Sequence, residues 1–133
     1  MEAKDFELQY MQLPNGERLV SWHRHDYKTF EAGSDFYMID GGQVDYIRYS
    51  QPEDWDGLRK ERLEDCFNWV REEFTWTKRY DKDMNLLEKP VTAKLKDLAL
   101  DHLLALVKYK EGSYMEHLFQ MEINYRVENA DKE

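Results

Sequence analysis

Phe6, Leu8 and Tyr10 alternate with Glu7 and Gln9, the period of two expected of a half-buried strand. Leu13-Pro14-Asn15-Gly16-Glu17 follows, and Asn-Gly is a strong hairpin signal because both residues tolerate positive φ. The pattern then predicts a return strand from Arg18 to Phe30 and a turn at Glu31-Ala32-Gly33-Ser34-Asp35. A third strand follows at Phe36–Ile39, a turn at Asp40-Gly41-Gly42, and a fourth strand over Val44–Tyr49. Residues 1–50 thus read as an antiparallel sheet, a meander of short strands.

From Ser50 the periodicity changes. Ser50 with Glu53 fits a capping box, Pro52 suits a first helical turn, and a helix is predicted over 51–74. Its apolar stripe is Leu63, Cys66, Phe67, Val70 and Phe74. Thr75–Tyr80 alternates again and, with a return through Pro90, predicts a hairpin over 75–92. Residues 97–128 read as a helical hairpin. Asp97 is the expected cap, Leu98, Leu103, Leu106 and Val107 the first stripe, and Gly112 the stop. Ser113 and Glu116 form a second capping box, before a stripe of Tyr114, Leu118, Met121 and Tyr125. The fold class predicted is α+β: a small antiparallel β-meander at the N-terminus packed by about three helices, in a single domain spanning 1–133.

Charge narrows the partners. Over 133 residues, 28 acidic and 19 basic side chains leave a net charge of -9, spread along the chain without a basic arm or an acidic tail. No continuous cationic track is available to displace counterions, so general DNA binding is not expected. No apolar run is long enough for a bilayer and no signal peptide is legible, so a cytoplasmic protein without membrane contact is expected. A single cysteine, Cys66, excludes an internal disulfide framework and reads as a buried, inert thiol.

The polar residues of Ser21–Lys28 are the candidate chemistry. On a strand, His23, His25 and Tyr27 would share one face and Arg24, Asp26 and Lys28 the other. Two imidazoles at i and i+2 can start a metal site, yet a third ligand (Asp40, His102 or His117) would have to come from tertiary folding, and no metal or other cofactor is assigned. The same residues suit anion recognition. Arg24 and Arg48 offer planar forks, Lys28 a point charge, the histidines further donors, and Asp40-Gly41-Gly42 backbone N–H groups able to form a nest. Set against this are plain structural uses: an Asp-Gly hairpin turn and an Arg24–Asp26 same-face pair. No Walker loop, GxGxxG, GxSxG or HExxH occurs, and no catalytic residue is assigned.

The strings His23-Arg24-His25-Asp26-Tyr27, Ile39-Asp40-Gly41-Gly42 and Asp45-Tyr46-Ile47-Arg48 resemble the HRHD[FY]…DGG…DY[IL]R pattern of small uncharacterised proteins of bacteria and tailed bacteriophages. In short bacterial members the stretch resembles a zinc ribbon with two Cys pairs. Here Leu13–Gly16 and Ala32-Gly33-Ser34 stand in those places, and hairpin turns are expected to replace the metal. Leu95-Lys96-Asp97-Leu98, Asp101-His102-Leu103 and Glu122–Arg126 are similar to C-terminal motifs of the phage members. The resemblance implies a phage origin and the cytoplasm of the host cell.

Three functions are weighed. The first is a non-enzymatic binding protein holding an anionic, nucleotide-like small molecule, used to counter or sense host factors. Its site is His23, Arg24, His25, Asp26, Lys28, Asp40, Gly41, Gly42, Tyr46 and Arg48. The second is an acidic inhibitor docking on a host defence or nucleic-acid enzyme through Trp55, Trp69 and Trp76. The third is a small enzyme acting on a phosphoester or nucleotide, with His23 or His25 as acid–base. Leu104, Met115, Phe119 and Ile123 fall off the helical stripes, and a homodimer through the C-terminal helices is expected to cover them.

Overall fold

The computed structural model describes residues 2–43, 47–81 and 83–130. Its elements are α+β as expected, and the chain divides into two compact units. Phe6–Leu63 forms one, and the described residues before and after it form the other.

The first unit holds two small antiparallel sheets. Strand β1 (Glu7–Gln12) lies between β2 (Arg18–Leu19) and β6 (Leu58–Arg62), while β3 (Lys28–Ala32), β4 (Asp35–Asp40) and β5 (Arg48–Ser50) form a meander. The expected hairpin after β1 is present: the Gly16 N–H donates to Leu13 O at 3.1 Å, with Gly16 at φ +90°. Asn15 keeps a negative φ, so glycine alone supplies the left-handed residue. Met11, Leu13, Tyr37 and Ile39 build the core, with Phe30, Ile47 and Trp55 half-buried around it.

Two expectations are corrected here. The return strand stops at Leu19, and Val20–Tyr27 is a loop containing a turn. The helix predicted from 51 begins at Leu63 as α1 (Leu63–Glu73). Residues 52–55 make a turn instead: the Gln51 side chain accepts the Gly57 N–H at 2.9 Å and the Trp55 indole donates to Gln12 O at 2.9 Å. These bonds tie the segment to β1, and Leu58–Arg62 then pairs along β1 from Met11↔Leu58 to Glu7↔Arg62. Strand β6 is almost entirely charged, so neither alternation nor propensity announces it; β1 forms it by offering an open edge.

The second unit carries the predicted hairpin, β7 (Thr75–Tyr80) with β8 (Leu86–Lys94), and the helical hairpin, α2 (Leu100–Tyr109) with α3 (Tyr114–Asn129). Asp97 does not cap α2. It ends a 3-10 turn at Leu95–Asp97, and Ala99 occupies the N-cap position without a side-chain bond. The turn is favoured because Leu95 and Leu98 are both buried and Arg126 donates to Lys96 O at 3.0 Å. Ser113 does cap α3 by position. Its hydroxyl, however, donates back to Lys110 O at 2.7 Å, and Glu116 accepts the N–H of Gly112 rather than of Ser113.

The buried line of α3 also differs from the expected stripe. Met115, Leu118, Phe119 and Glu122 face inward, while Tyr125 is exposed and Tyr114 and Met121 are half-buried. Phe119 sets this phase by meeting Phe74 and Trp76 edge-on, with ring centroids 5.9 and 5.7 Å apart. Of the four residues expected to leave apolar surface for a dimer, Met115 and Phe119 are therefore core, Ile123 is half-buried and only Leu104 is exposed. Among the described residues no helix is long and apolar enough to cross a membrane.

Candidate functional site

The His23–Asp26 segment is a turn because side chains compete successfully with a strand ladder. The Asp26 N–H donates to His23 O at 3.0 Å, and the Asp26 carboxylate accepts the Trp22 N–H at 2.8 Å. Ser21, fully buried, is the hub. Its hydroxyl donates to Asp26 O at 2.8 Å and accepts the Gly42 N–H at 2.8 Å, joining this turn to the Asp40-Gly41-Gly42 turn. Gln43 adds a second tie. Its amide donates to Gln9 O and Ser21 O at 2.8 and 2.9 Å and accepts the Gln9 N–H at 2.7 Å, standing in for a strand beside β1 where β2 has already ended.

Gly42 permits the approach of the two turns. A Cβ there would lie 2.7 Å from the carbonyl carbon of His23 and 3.0 Å from the Arg24 nitrogen, and the residue has φ +73°. No L side chain meets both conditions.

The predicted site residues now separate into two groups. Asp26, Lys28, Asp40, Gly41, Gly42 and Arg48 are engaged with the protein itself. Lys28 Nζ lies 3.3 Å from Asp26 and 5.9 Å above the Trp22 ring. Asp40, nearly buried, accepts Arg48 Nη2 at 2.6 Å and the Gly41 N–H at 2.8 Å. The expected backbone nest is therefore corrected: the Gly41 and Gly42 N–H groups already have acceptors and both glycines are buried. The shared strand face of His23, His25 and Tyr27 is corrected too, since these residues sit in a loop.

The second group is His23, Arg24 and His25. All three are exposed, and none hydrogen-bonds through its side chain within the described residues. Tyr27 stands beside them at 58% exposure, and 65% of the Arg48 side chain remains open to water beyond its bond to Asp40. Tyr46 lies outside the described residues. No three His, Cys, Asp or Glu side chains among the described residues are grouped so as to hold a metal ion.

Sequence reasoning missed Ser21 and Gln43. A serine preceding Trp-His-Arg-His carries no signal of its own, and Gln43 matters only because β2 is short. The tryptophans offered as interface anchors are each only partly open to solvent. Trp55, Trp69 and Trp76 are half-buried, Trp55 donating to Gln12 O and Trp76 packing on Phe119 with Lys110 5.5 Å over its ring. Cys66 is buried on the inner face of α1, as expected. Compared with protein-family models, curated proteins and solved structures, the chain matches none.

Proposed function

We propose that this chain is a non-enzymatic binding protein whose His23–Arg24–His25 turn takes an anionic, nucleotide-like small molecule. One observation carries the reading: consecutive exposed nitrogen-bearing side chains stand on a backbone pinned by Ser21, Asp26 and Gly42. A backbone held in place before the ligand arrives loses little conformational entropy on binding, which favours affinity from few contacts. Arg24 supplies the planar fork, the histidines further donors, and the outer edge of Arg48 a second cation close to the Asp40–Gly42 turn. Tyr27 offers a ring on which a base can stack. The likeness of His23–Tyr27, Asp40–Gly42 and Arg48 to the phage pattern extends the reading: a phage product working in the host cytoplasm, sequestering or sensing a host nucleotide signal.

Titration calorimetry with mono-, di- and cyclic nucleotides tests it. At least one should bind, and Arg24→Ala should weaken it about tenfold, the equivalent of one charge-assisted hydrogen bond of about 1.4 kcal/mol. Arg24 makes no hydrogen bond within the described residues, so this variant keeps its fold. No heat with any nucleotide, or an affinity unchanged by Arg24→Ala, ends the reading.

A further inference from the structure

Helix α2 carries two apolar stripes, and the fold uses one of them. Leu103 and Leu106 point inward and are buried. Leu100, Leu104 and Val107 recur at i, i+4 and i+7 and so share a second face. On it Leu100 and Leu104 are 52% and 55% exposed and Val107 is half-buried. Asp101 and Lys108, both exposed, lie two turns apart along one margin of this stripe. Neither charge is neutralised within the chain. Lys108 Nζ has no ion pair or hydrogen bond among the described residues. Asp101 accepts the neighbouring His102 N–H through Oδ1 at 2.9 Å, while Oδ2 has no partner among the described residues. The His102 ring beside it titrates below an ordinary histidine and is neutral at pH 7.5.

From this we infer that α2 packs against α2 of a second copy of this chain, antiparallel about a two-fold axis that crosses the helix between Leu104 and Ala105. Charge selects both the occupant and the register. A two-fold contact sets residue i of one copy against residue j of the other and j against i, so a face can pair with itself only if it is self-complementary. Asp101 and Lys108 meet that condition: antiparallel helices bring each against the other along the same margin, twice per dimer, when the axis passes midway between them. That one choice also aligns the apolar stripe. Leu104 meets Leu104 of the second copy at the axis, and Leu100 comes beside Val107 of the second copy on either side. A parallel pair would carry the two charged margins to opposite sides of the contact and leave both unpaired. The contact is short, because the ten residues of α2 rise only about 15 Å. It buries less than the ~800 Å² per partner of a standard interface, which makes the dimer a weak one, with a dissociation constant on the order of 10–100 µM. Nothing in this argument draws on the anion site of the first unit.

Sedimentation equilibrium of the full chain from about 5 to about 500 µM tests it. The mass should rise from that of a monomer toward twice that value. Leu104→Asp, at an exposed position, should raise the dissociation constant at least tenfold. Asp101→Lys and Lys108→Asp should each weaken association about tenfold, since each sets like charges along the margin. Mixed in equal amounts, these two variants should associate as tightly as the native chain, because each copy then supplies the sign the other lacks. Such rescue also shows that both variants remain folded. A monomer mass throughout, a dimer indifferent to Leu104→Asp, or a mixture that associates no better than either variant alone overturns the inference.

Discussion

Replacing Glu122 by glutamine probes the most demanding polar arrangement in the molecule. The carboxylate has no solvent exposure, accepts Nε and Nη2 of Arg71 at 2.8 Å each and Nε of Arg126 at 2.7 Å. The Arg71 and Arg126 side chains are 18% and 28% exposed, so water partly solvates the two cations that the acid bridges. An amide keeps one acceptor oxygen and turns an NH2 group toward a guanidinium, donor against donor. Charge-assisted bonds contribute about 1.5–3 kcal/mol each, and removing one partner of a buried ion pair costs about 3–5 kcal/mol. Allowing for the partial hydration of the arginines, the expected loss is about 3 kcal/mol, a large part of the ~5–15 kcal/mol that holds a domain folded. Urea unfolding at neutral pH, followed by circular dichroism, reads this as a midpoint lower by about 1.5 M at a slope of about 2 kcal/mol/M. A loss under about 1 kcal/mol refutes the reasoning. The triple replacement Arg71→Met, Glu122→Leu, Arg126→Met refines it, because a well-packed apolar trio often matches a buried ion network. Recovery should be incomplete here, since Arg126 also donates to Lys96 O and that carbonyl would lose its donor.

Gly42→Ala should destabilise the first unit by about 2–4 kcal/mol, summing the left-handed backbone penalty and the collision with His23, whereas Gly16→Ala, at φ +90° in open space, should cost about 1 kcal/mol. Equal losses in chemical denaturation would contradict the close approach of the two turns. His102 titrates below an ordinary histidine, chiefly because partial burial removes it from water and secondly because Lys78 repels its cation, with Asp101 opposing. Its folded pKa lies below the unfolded one, so the unfolded chain binds more protons as pH drops. Stability is complete above the unfolded value of about 6.5 and declines as pH falls from there through the folded pKa. Thermal midpoints at about pH 7.5 and about pH 5 should therefore differ more for the native chain than for His102→Gln. An identical difference in both would remove His102 from the explanation.

What the sequence determined by itself was local. Gly16 and Gly33 mark hairpin tips because a left-handed residue is needed there, and both take positive φ. The α2–α3 hairpin and the β7–β8 hairpin are legible because their punctuation, Gly112 and the Asp81–Asn85 turn, depends only on neighbours within a few positions. The candidate residues were legible only as residue types, since nothing local to His23, Arg24 and His25 says whether their side chains stay exposed or pair within the fold.

Tertiary structure decided everything that needed a distant partner. The His23–Asp26 segment leaves the strand ladder because Ser21 and Asp26 bind backbone groups locally and Gly42, 21 positions after Ser21, completes the hub. Leu58–Arg62 becomes a strand because β1 presents an unpaired edge, while Ser50 and Glu53 lose their helix to bonds from Gln51 and Trp55. The inward face of α3 is fixed by Phe119 against Phe74 and Trp76 and by Glu122 against Arg71, 51 positions away. Periodicity reports which positions share a face. Only the packed structure decides which face is inside, because burial energy belongs to pairs of elements and not to either one alone.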